Sequence, residues 1–425
     1  MSKEIYKFAE SIINFPRSLT GHGVRRTLHE IKKIIPNLKI KSIKSNTKVF
    51  DWRIPKEWKV NDAYIITPDG KKICNFKKNN LHLLGYSIPI NKIVTKKELL
   101  KKLYSLPNQP NAIPYVTSYY ERNWGFCISE NERKKLKNGN YKVFIDTELF
   151  NGNLNYGEFL LKGKSQKEVF LSTYICHPSL ANNEISGPSL LTYLAKWISK
   201  IKGRRYSYRI IFIPETIGSI AYLSKNLKVL KKNMRYGFNI SCVGDNRNYS
   251  YLQSRDGHSL TDKLAKYVLK KKKLKYTSYN WLSRGSDERQ YCSPGVDLPV
   301  CSLMRTKHGL YKEYHTSLDK LGTVVTSQGL NGSFELYKSC ISQIEKNLIP
   351  KTNIICEPQM GKRDLYPNIS TKTSGIKTKS MMDILTFCDG HHSINDINTK
   401  VGISNNNIYK IIKLFEREKI ISFID

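Results

Sequence analysis

The run Ser172 to Gly187, STYICHPSLANNEISG, constrains the fold more than any other stretch of the chain. Its apolar start reads as a strand that delivers His177 into a loop. The loop then turns through Asn182, Asn183 and Glu184 into a helix beginning near Ser186. An imidazole at the carboxyl end of a strand, with a second oxygen ligand one turn later, suits a metal site at the mouth of an open α/β sheet.

The chain around this run alternates strands and helices. Strands are expected near Tyr141 to Thr147, Val169 to Ile175, Tyr208 to Ile213, Tyr236 to Val243 and Leu298 to Met304. Helices are expected at Ser186 to Lys200, Gly218 to Leu230, Ser259 to Lys271 and Thr326 to Asn347. Such alternation predicts an α/β sheet with helices on both faces. Two further helices open the chain, Lys3 to Asn14 and Gly23 to Ile35, each with apolar residues at helical spacing and each closed by a proline, Pro16 or Pro36. Between them and the alternating region lies a stretch dense in aromatics and turn residues, which predicts short strands and, at Thr95 to Leu106, one helix. The opening helices need the large sheet to bury against, so this β-rich module is inserted. The expected division is residues 1–46 with 138–349 as a discontinuous α/β domain, 47–137 as the insert, and 350–425 as a Pro, Gly and Lys-rich connector followed by a compact end. In that end, Met381 to Cys388, Ser393 to Val401 and Ser404 to Lys419 read as three helices before a strand-like IISFID, the order of a winged helix-turn-helix.

With 40% hydrophobic and 25% charged residues over 425 positions, the chain has the composition of a globular protein of several domains. The start MSKEIYKFAESIINFP lacks the pattern of a signal peptide, and no apolar run approaches the roughly 18 residues of a membrane span, which predicts a cytoplasmic protein. Nine scattered cysteines without a CxxC pair suggest neither a disulfide framework nor a thiolate zinc knuckle, and predict reduced thiols. Lys and Arg outnumber Asp and Glu by 71 to 35, a formal net charge of +36. That charge would attract nucleic acid or other anions; an AT-rich coding bias toward Lys, Asn and Ile gives the same count. Homo-oligomerisation is left open.

Ionisable residues follow apolar strands at four places: His177 with Asn183 and Glu184, Glu215 in IIFIPETIGS, Asp287 and Glu288 in SRGSDERQYCSPG, and His315 in YKEYHTSLD. Zinc hydrolysis needs neutral imidazole or carboxylate ligands, an open position for water, and a carboxylate to take its proton. This set supplies all three. Each residue also has a plainer role: Glu215 as an anion at the start of the following helix, Asp287 and Glu288 as caps of a short helix toward Tyr291, and a lone histidine as a loop residue. A Cys176 thiol with His177 as its base is disfavoured, because neighbours on a strand point to opposite faces. The insert's Trp52, Trp58, Tyr119, Tyr120 and Trp124 either clasp a substrate or fill a small core. His391 and His392 read as solvated loop residues. The last helix carries Lys410, Lys413, Arg417 and Lys419 with Glu416 and Glu418, a mixed face that suits domain packing as well as DNA.

At these residues the chain resembles the zinc aminopeptidase superfamily that includes glutamate carboxypeptidase and glutaminyl cyclase. More closely, it resembles a bacterial group of aminopeptidase-like proteins with a β-rich insert and a C-terminal winged helix. GHGVRRTL, NTKVFDWRIPKEW, NNLHLLGYS, YICHPSLANNEISG, PETIGSIAYL, SRGSDERQYCSPGVDLPV and EYHTSLD carry the likeness. The resemblance implies a three-layer aminopeptidase-like sheet, with His177 and His315 as the first and last zinc histidines. It implies Glu215 as general base, with Asp287 or Glu288 meeting the amino terminus of a substrate and Arg284, Arg289 or Arg305 holding a carboxylate. Three positions depart from the pattern. Asn183 stands where an aspartate bridges two metals, Thr216 where a second glutamate is a ligand, and Ser241 near another aspartate. The expectation is therefore one zinc ion rather than two, in a hydrolase cleaving a peptide or small amide bond. The alternative is a non-catalytic protein that binds a ligand or nucleic acid. The resemblance also raises work on modified sugars, where an amide on a sugar is the target.

Overall fold

The computed structural model describes residues 2–366 and 374–424. It divides into two compact units, Met1–Ser339 and Cys340–Asp425.

The first unit is organised by an eight-stranded sheet. Its spatial order is Lys39–Lys44, Asn153–Leu161, Ser207–Ile213, Glu168–Tyr174, Met234–Asn239, Val300–Met304, Ser250–Leu252 and Thr277–Tyr279. The four strands from Ser207–Ile213 to Val300–Met304 run parallel. Glu168–Tyr174 is buried along its whole length, as a strand covered on both faces must be, and that is why it reads as a nearly continuous apolar run. The opening helices, Ser2–Ile12 and His22–Ile34, bury the faces expected of them: Ile5, Phe8, Ala9 and Ile12, then Val24, Leu28 and Ile31. Helix Ser186–Ser199 packs against both of them and against Glu168–Tyr174. Gly187 permits that approach, since a Cβ there would lie 2.4 Å from Thr173 Oγ1 and 2.7 Å from the Ile240 carbonyl oxygen.

One strand changes sheets relative to expectation. Asn140–Phe150 does not join the large sheet; it pairs antiparallel with Glu57–Ile66 and with Ile90–Thr95 in a second, four-stranded sheet. Its alternation is the reason. Tyr141, Val143, Ile145 and Thr147 are buried while their neighbours are not, which suits an antiparallel sheet with one wet face rather than a central parallel strand. The chain then passes through a short turn into Asn153–Leu161, an unexpected strand of the large sheet. Glu57 secures the crossing by accepting from the Asn153 N–H at 3.0 Å while pairing with Arg25 at 2.6 Å.

In the second unit, the helices Ser374–Thr386, Ile394–Val401 and Asn405–Arg417 follow the expected order. Ser393 caps the middle helix with Asp396 in a reciprocal capping box, and Ser404 caps the last. Ile349–Thr352, expected within a connector, is a strand paired with Ile421–Ile424. Met381, Ile384, Ile397, Ile408, Ile412 and Phe415 fill the core. His392 lies in the loop before the middle helix and pairs with Asp389 at 2.8 Å.

Candidate active site

The parallel strands end at one edge of the sheet, and the residues singled out above emerge there. His177 lies three positions past Glu168–Tyr174 and Glu215 two past Ser207–Ile213. His315 comes from the loop after Val300–Met304. The rings of His177 and His315 are 5.6 Å apart between centroids, and His177 Nε2 is 3.5 Å from Glu215 Oε2. Two ligands on one tetrahedral zinc, at bonds of about 2.0–2.2 Å, stand about 3.4 Å apart. The His177 and Glu215 atoms have that spacing, so the Glu215 carboxylate lies within reach of an ion held by His177 or of a water on that ion.

The imidazole of His177 is oriented from behind. Its Nδ1 bonds Glu184 Oε2 at 2.8 Å, which places a proton on Nδ1 and turns Nε2 toward the cavity. Glu184 is fully buried, with Arg17 Nε 3.8 Å from its other oxygen. Arg17, itself fully buried, donates to the carbonyls of His177, Ile12 and Ile13 at 3.0, 2.6 and 3.1 Å. Burial lowers its pKa, and Glu184 offsets part of that; the result, about 10, keeps the guanidinium charged at neutral pH. No periodicity in the sequence marks Arg17, which lies 160 positions from His177.

His315 has φ 54°, a left-handed conformation that is uncommon for a non-glycine residue, and it stacks on Tyr314 at 3.9 Å. Burial lowers its pKa to about 3, so the ring is neutral. Its buried Nε2 has no hydrogen-bond partner, and neither does the buried Oδ1 of Asn183. Buried polar atoms without partners are few in folded proteins and call for an explanation. A cation at the mouth of the sheet would supply one for His315. The loop holding Asn183 is tied down by Asp319, which accepts from the Asn182 and Asn183 N–H groups at 2.7 and 2.9 Å. The donor set of two imidazole nitrogens, with the Glu215 carboxylate beside it, fits zinc.

Other predicted residues serve the frame. Asp287 accepts from the Thr216 N–H at 2.7 Å and from Ser219 Oγ at 2.8 Å, which ties it to the start of the helix Ile217–Asn233. Burial first, then the charge of Glu215, raises its pKa, which favours the protonated form. Glu288 accepts from the N–H groups of Gly285 and Ser286 at 2.7 and 2.9 Å and from Asn239 at 2.9 Å. Burial opposes its ionisation, but those bonds and His308, 3.8 Å away, bring its pKa to about 2. The three arginines bond other partners than the histidines: Arg289 bonds Thr216 Oγ1, next to Glu215, at 3.0 Å, Arg284 is exposed over the ring of Trp281, and Arg305 is buried against Tyr249. Cys176 departs from its expected geometry. The strand ends at Tyr174, so alternation no longer separates the neighbours, and Sγ is 3.7 Å from His177 Nδ1. Burial nevertheless pushes its pKa up to about 11 and keeps it a thiol.

The aromatic-rich segment before Asn140–Phe150 closes the site. Tyr115 packs edge-on against both imidazoles with centroids 5.2 Å away, and its N–H donates to the His315 carbonyl at 2.8 Å. Pro114 and Thr316 form a β-bridge beside it. The cavity between insert and sheet, about 410 Å³, is lined by Cys176, His177, Glu215 and His315 on one side and by Trp52, Tyr115, Tyr119 and Tyr120 on the other.

Comparison with known proteins agrees with this fold. The family described as Domain of unknown function (DUF4910) matches residues 6–347, and a winged helix-turn-helix family matches 347–423. A protein of Clostridium acetobutylicum named "Putative polysaccharide biosynthesis protein with aminopeptidase-like domain" is 43% identical over 406 residues, covering 94% of this chain and 92% of its own. A crystal structure of a "putative peptidase" from Clostridium acetobutylicum superposes with TM-score 0.86 at 40% identity, covering 100% of this chain and 96% of that one. BSAP, a zinc aminopeptidase from Bacillus subtilis, shares the fold, with TM-score 0.59 at 13% identity over 81% of this chain and 95% of that one.

Proposed function

The chain belongs to the DUF4910 family, with an aminopeptidase-like fold and a C-terminal winged helix, and from that premise we propose that it is a zinc-dependent hydrolase of a peptide or small amide bond. One observation carries the reading: His177 Nε2, the unpartnered His315 Nε2 and the Glu215 carboxylate converge on one cavity.

His177 and His315 would hold one zinc ion, with the neutral oxygen of Asn183 as a weaker third donor. An amide in place of a bridging carboxylate favours one ion over two. Zinc bound there supplies Lewis acidity toward a carbonyl and toward water. Glu215 does the proton work. Ser286 Oγ donates to its Oε1 at 2.8 Å and leaves Oε2 facing the gap, placed to take a proton from water and return it to the departing amine. Arg17 and Glu184 keep His177 in the tautomer this needs. Asp287, when protonated, adds no second negative charge beside Glu215.

Elemental analysis of protein purified without added metal, combined with a screen of aminoacyl and N-acyl amides, tests this. Near-stoichiometric zinc and chelator-sensitive turnover are expected, both lost in His177→Ala. Full turnover by metal-free protein sinks the mechanism. A second reading, that the protein binds nucleic acid, is favoured by the winged helix and the net charge of +36. On the last helix, however, Lys413 and Arg417 pair with Glu416 and Glu418. Affinity for duplex DNA that falls steeply with salt would support that reading, and no binding at low salt would remove it.

A further inference from the structure

We propose that Trp52 and Tyr120, at the mouth of the cavity, are specificity determinants that take the apolar face of an uncharged ring carried by the substrate. The proposal rests on the cavity being the hydrolase site described above, but it concerns binding, so it can fail or stand separately.

The aromatics of the insert divide by what they do. Trp58 serves the core: it is 8% exposed, stacks on Tyr86 at 5.4 Å, and its indole N–H donates to the Ser87 carbonyl at 3.0 Å. Trp52 and Tyr120 do not. They are 39% and 56% exposed, yet they hold each other edge to face at 5.8 Å on the wall of the cavity. Large aromatic rings left in water, mutually fixed and adjoining a reactive cavity, form a ready stacking surface. Folding the insert does not require them there.

Charge narrows the ligand. The chain has 71 Lys and Arg residues, but none lines this cavity among the described residues, and Glu215 is its only carboxylate. A phosphate or carboxylate on the ring would find no guanidinium or ammonium on the wall itself, and Arg289 behind it is already bonded to Thr216 Oγ1 and the Ser286 carbonyl at 3.0 Å each. An ammonium on the ring would find only the carboxylate assigned to proton transfer. A neutral ring with apolar C–H or π faces meets neither penalty. A pyranose and an aryl group both have that chemistry.

The test is calorimetric titration of metal-stripped full-length protein with four amides: N-acetylglucosamine, acetanilide, 4-acetamidobenzoate and ring-free N-methylacetamide. The neutral ring amides, or one of them, should bind at least about tenfold more tightly than N-methylacetamide, the scale of one stacking contact. Acetanilide binding with no response to the sugar assigns an aryl group, and the converse assigns a pyranose. 4-Acetamidobenzoate should bind more weakly than acetanilide. The double variant Trp52→Ala, Tyr120→Ala should lose the ring preference while keeping wild-type zinc content and melting temperature, and Trp52→Phe should retain most of it. Equal binding of ring-bearing and ring-free amides, or a ring preference that survives the double variant, overturns the proposal. If rings bind but no amide is turned over by zinc-loaded protein, the hydrolase reading fails and the ring site stands.

Discussion

Two buried charge clusters occupy opposite ends of the same two strands, Glu168–Tyr174 and Ser207–Ile213, and they differ in how completely they are paired. Near the strand starts, Arg209 forks onto Glu168 at 2.6 and 2.8 Å and reaches Glu158 at 3.1 Å. Tyr222 donates to Glu158 at 2.5 Å, and Lys41 bonds its other oxygen. None of these side chains keeps a buried polar atom without a partner. Past the strand ends, His315 Nε2, Asn183 Oδ1 and Glu184 Oε1 have none, and the histidines and Glu215 open onto a cavity. Burial alone therefore does not mark a reaction site. Burial with unspent donor and acceptor capacity facing a cavity does.

The largest effect that sharpens the contrast lies at the paired end. Arg209→Met strands two buried carboxylates, and breaking such a network costs about 3–5 kcal/mol. Urea unfolding should report that loss, with zinc content per folded molecule unchanged. A loss below about 1 kcal/mol would mean that the paired end does not stabilise the sheet. At the other end, Glu184→Gln should act mainly on metal affinity. It keeps a bond to His177 but loses the charge that supports the imidazole, and outer partners of this kind are worth about 10–100-fold in affinity. Competition with a chromophoric chelator measures this; unchanged affinity would assign Glu184 to stability alone.

The sequence revealed the two ends unequally. His177, Glu215 and His315 were legible because each is ionisable and follows an apolar strand at the edge where α/β sheets bind ligands. Arg17 and Tyr115 were not, because their roles come from tertiary contact: Arg17 sits between two helices with no pattern of its own, and Tyr115 reaches the histidines only once the insert folds over them. Asp287 does not cap the short helix toward Tyr291 with its side chain but bonds the start of Ile217–Asn233, while Glu288 binds the Gly285 and Ser286 N–H groups just before that short helix. Asn153–Leu161 escaped notice because Asn155, Gly157 and Glu158 interrupt its apolar character, yet Glu158 is the residue that completes the paired cluster. Asn140–Phe150 was legible as a strand, but alternation states which face is wet and not which sheet it joins.

A smaller effect tests the unpaired end. His315→Asn should abolish stoichiometric zinc while changing the stability of metal-free protein by no more than about 1 kcal/mol. Asparagine accepts the left-handed backbone at φ 54° readily, and the substitution removes a buried nitrogen that makes no bond, which together offset the lost stacking on Tyr314. Chemical denaturation of chelator-treated protein decides it. A loss of about 3 kcal/mol or more would show that His315 is structural and erase the distinction between the clusters.

The smallest effect is in pH dependence, and it separates the clusters by sign of charge. Burial raises the pKa of Glu158, but the bonds from Lys41 and Tyr222 and the charge of Arg209 outweigh it and hold the carboxyl below its ordinary value. A carboxylate depressed on folding contributes stability that is fully present above its unfolded pKa, about 4.3, and is lost as pH falls through the folded value. Melting temperatures of wild type and Glu158→Gln should therefore differ by a constant amount from pH 6 to 8, with wild type higher, and should converge below about pH 4. A gap that persists undiminished at the lowest pH where the protein stays folded would mean that Glu158 stabilises the sheet edge by packing and neutral hydrogen bonds. The paired cluster would then not depend on its charge.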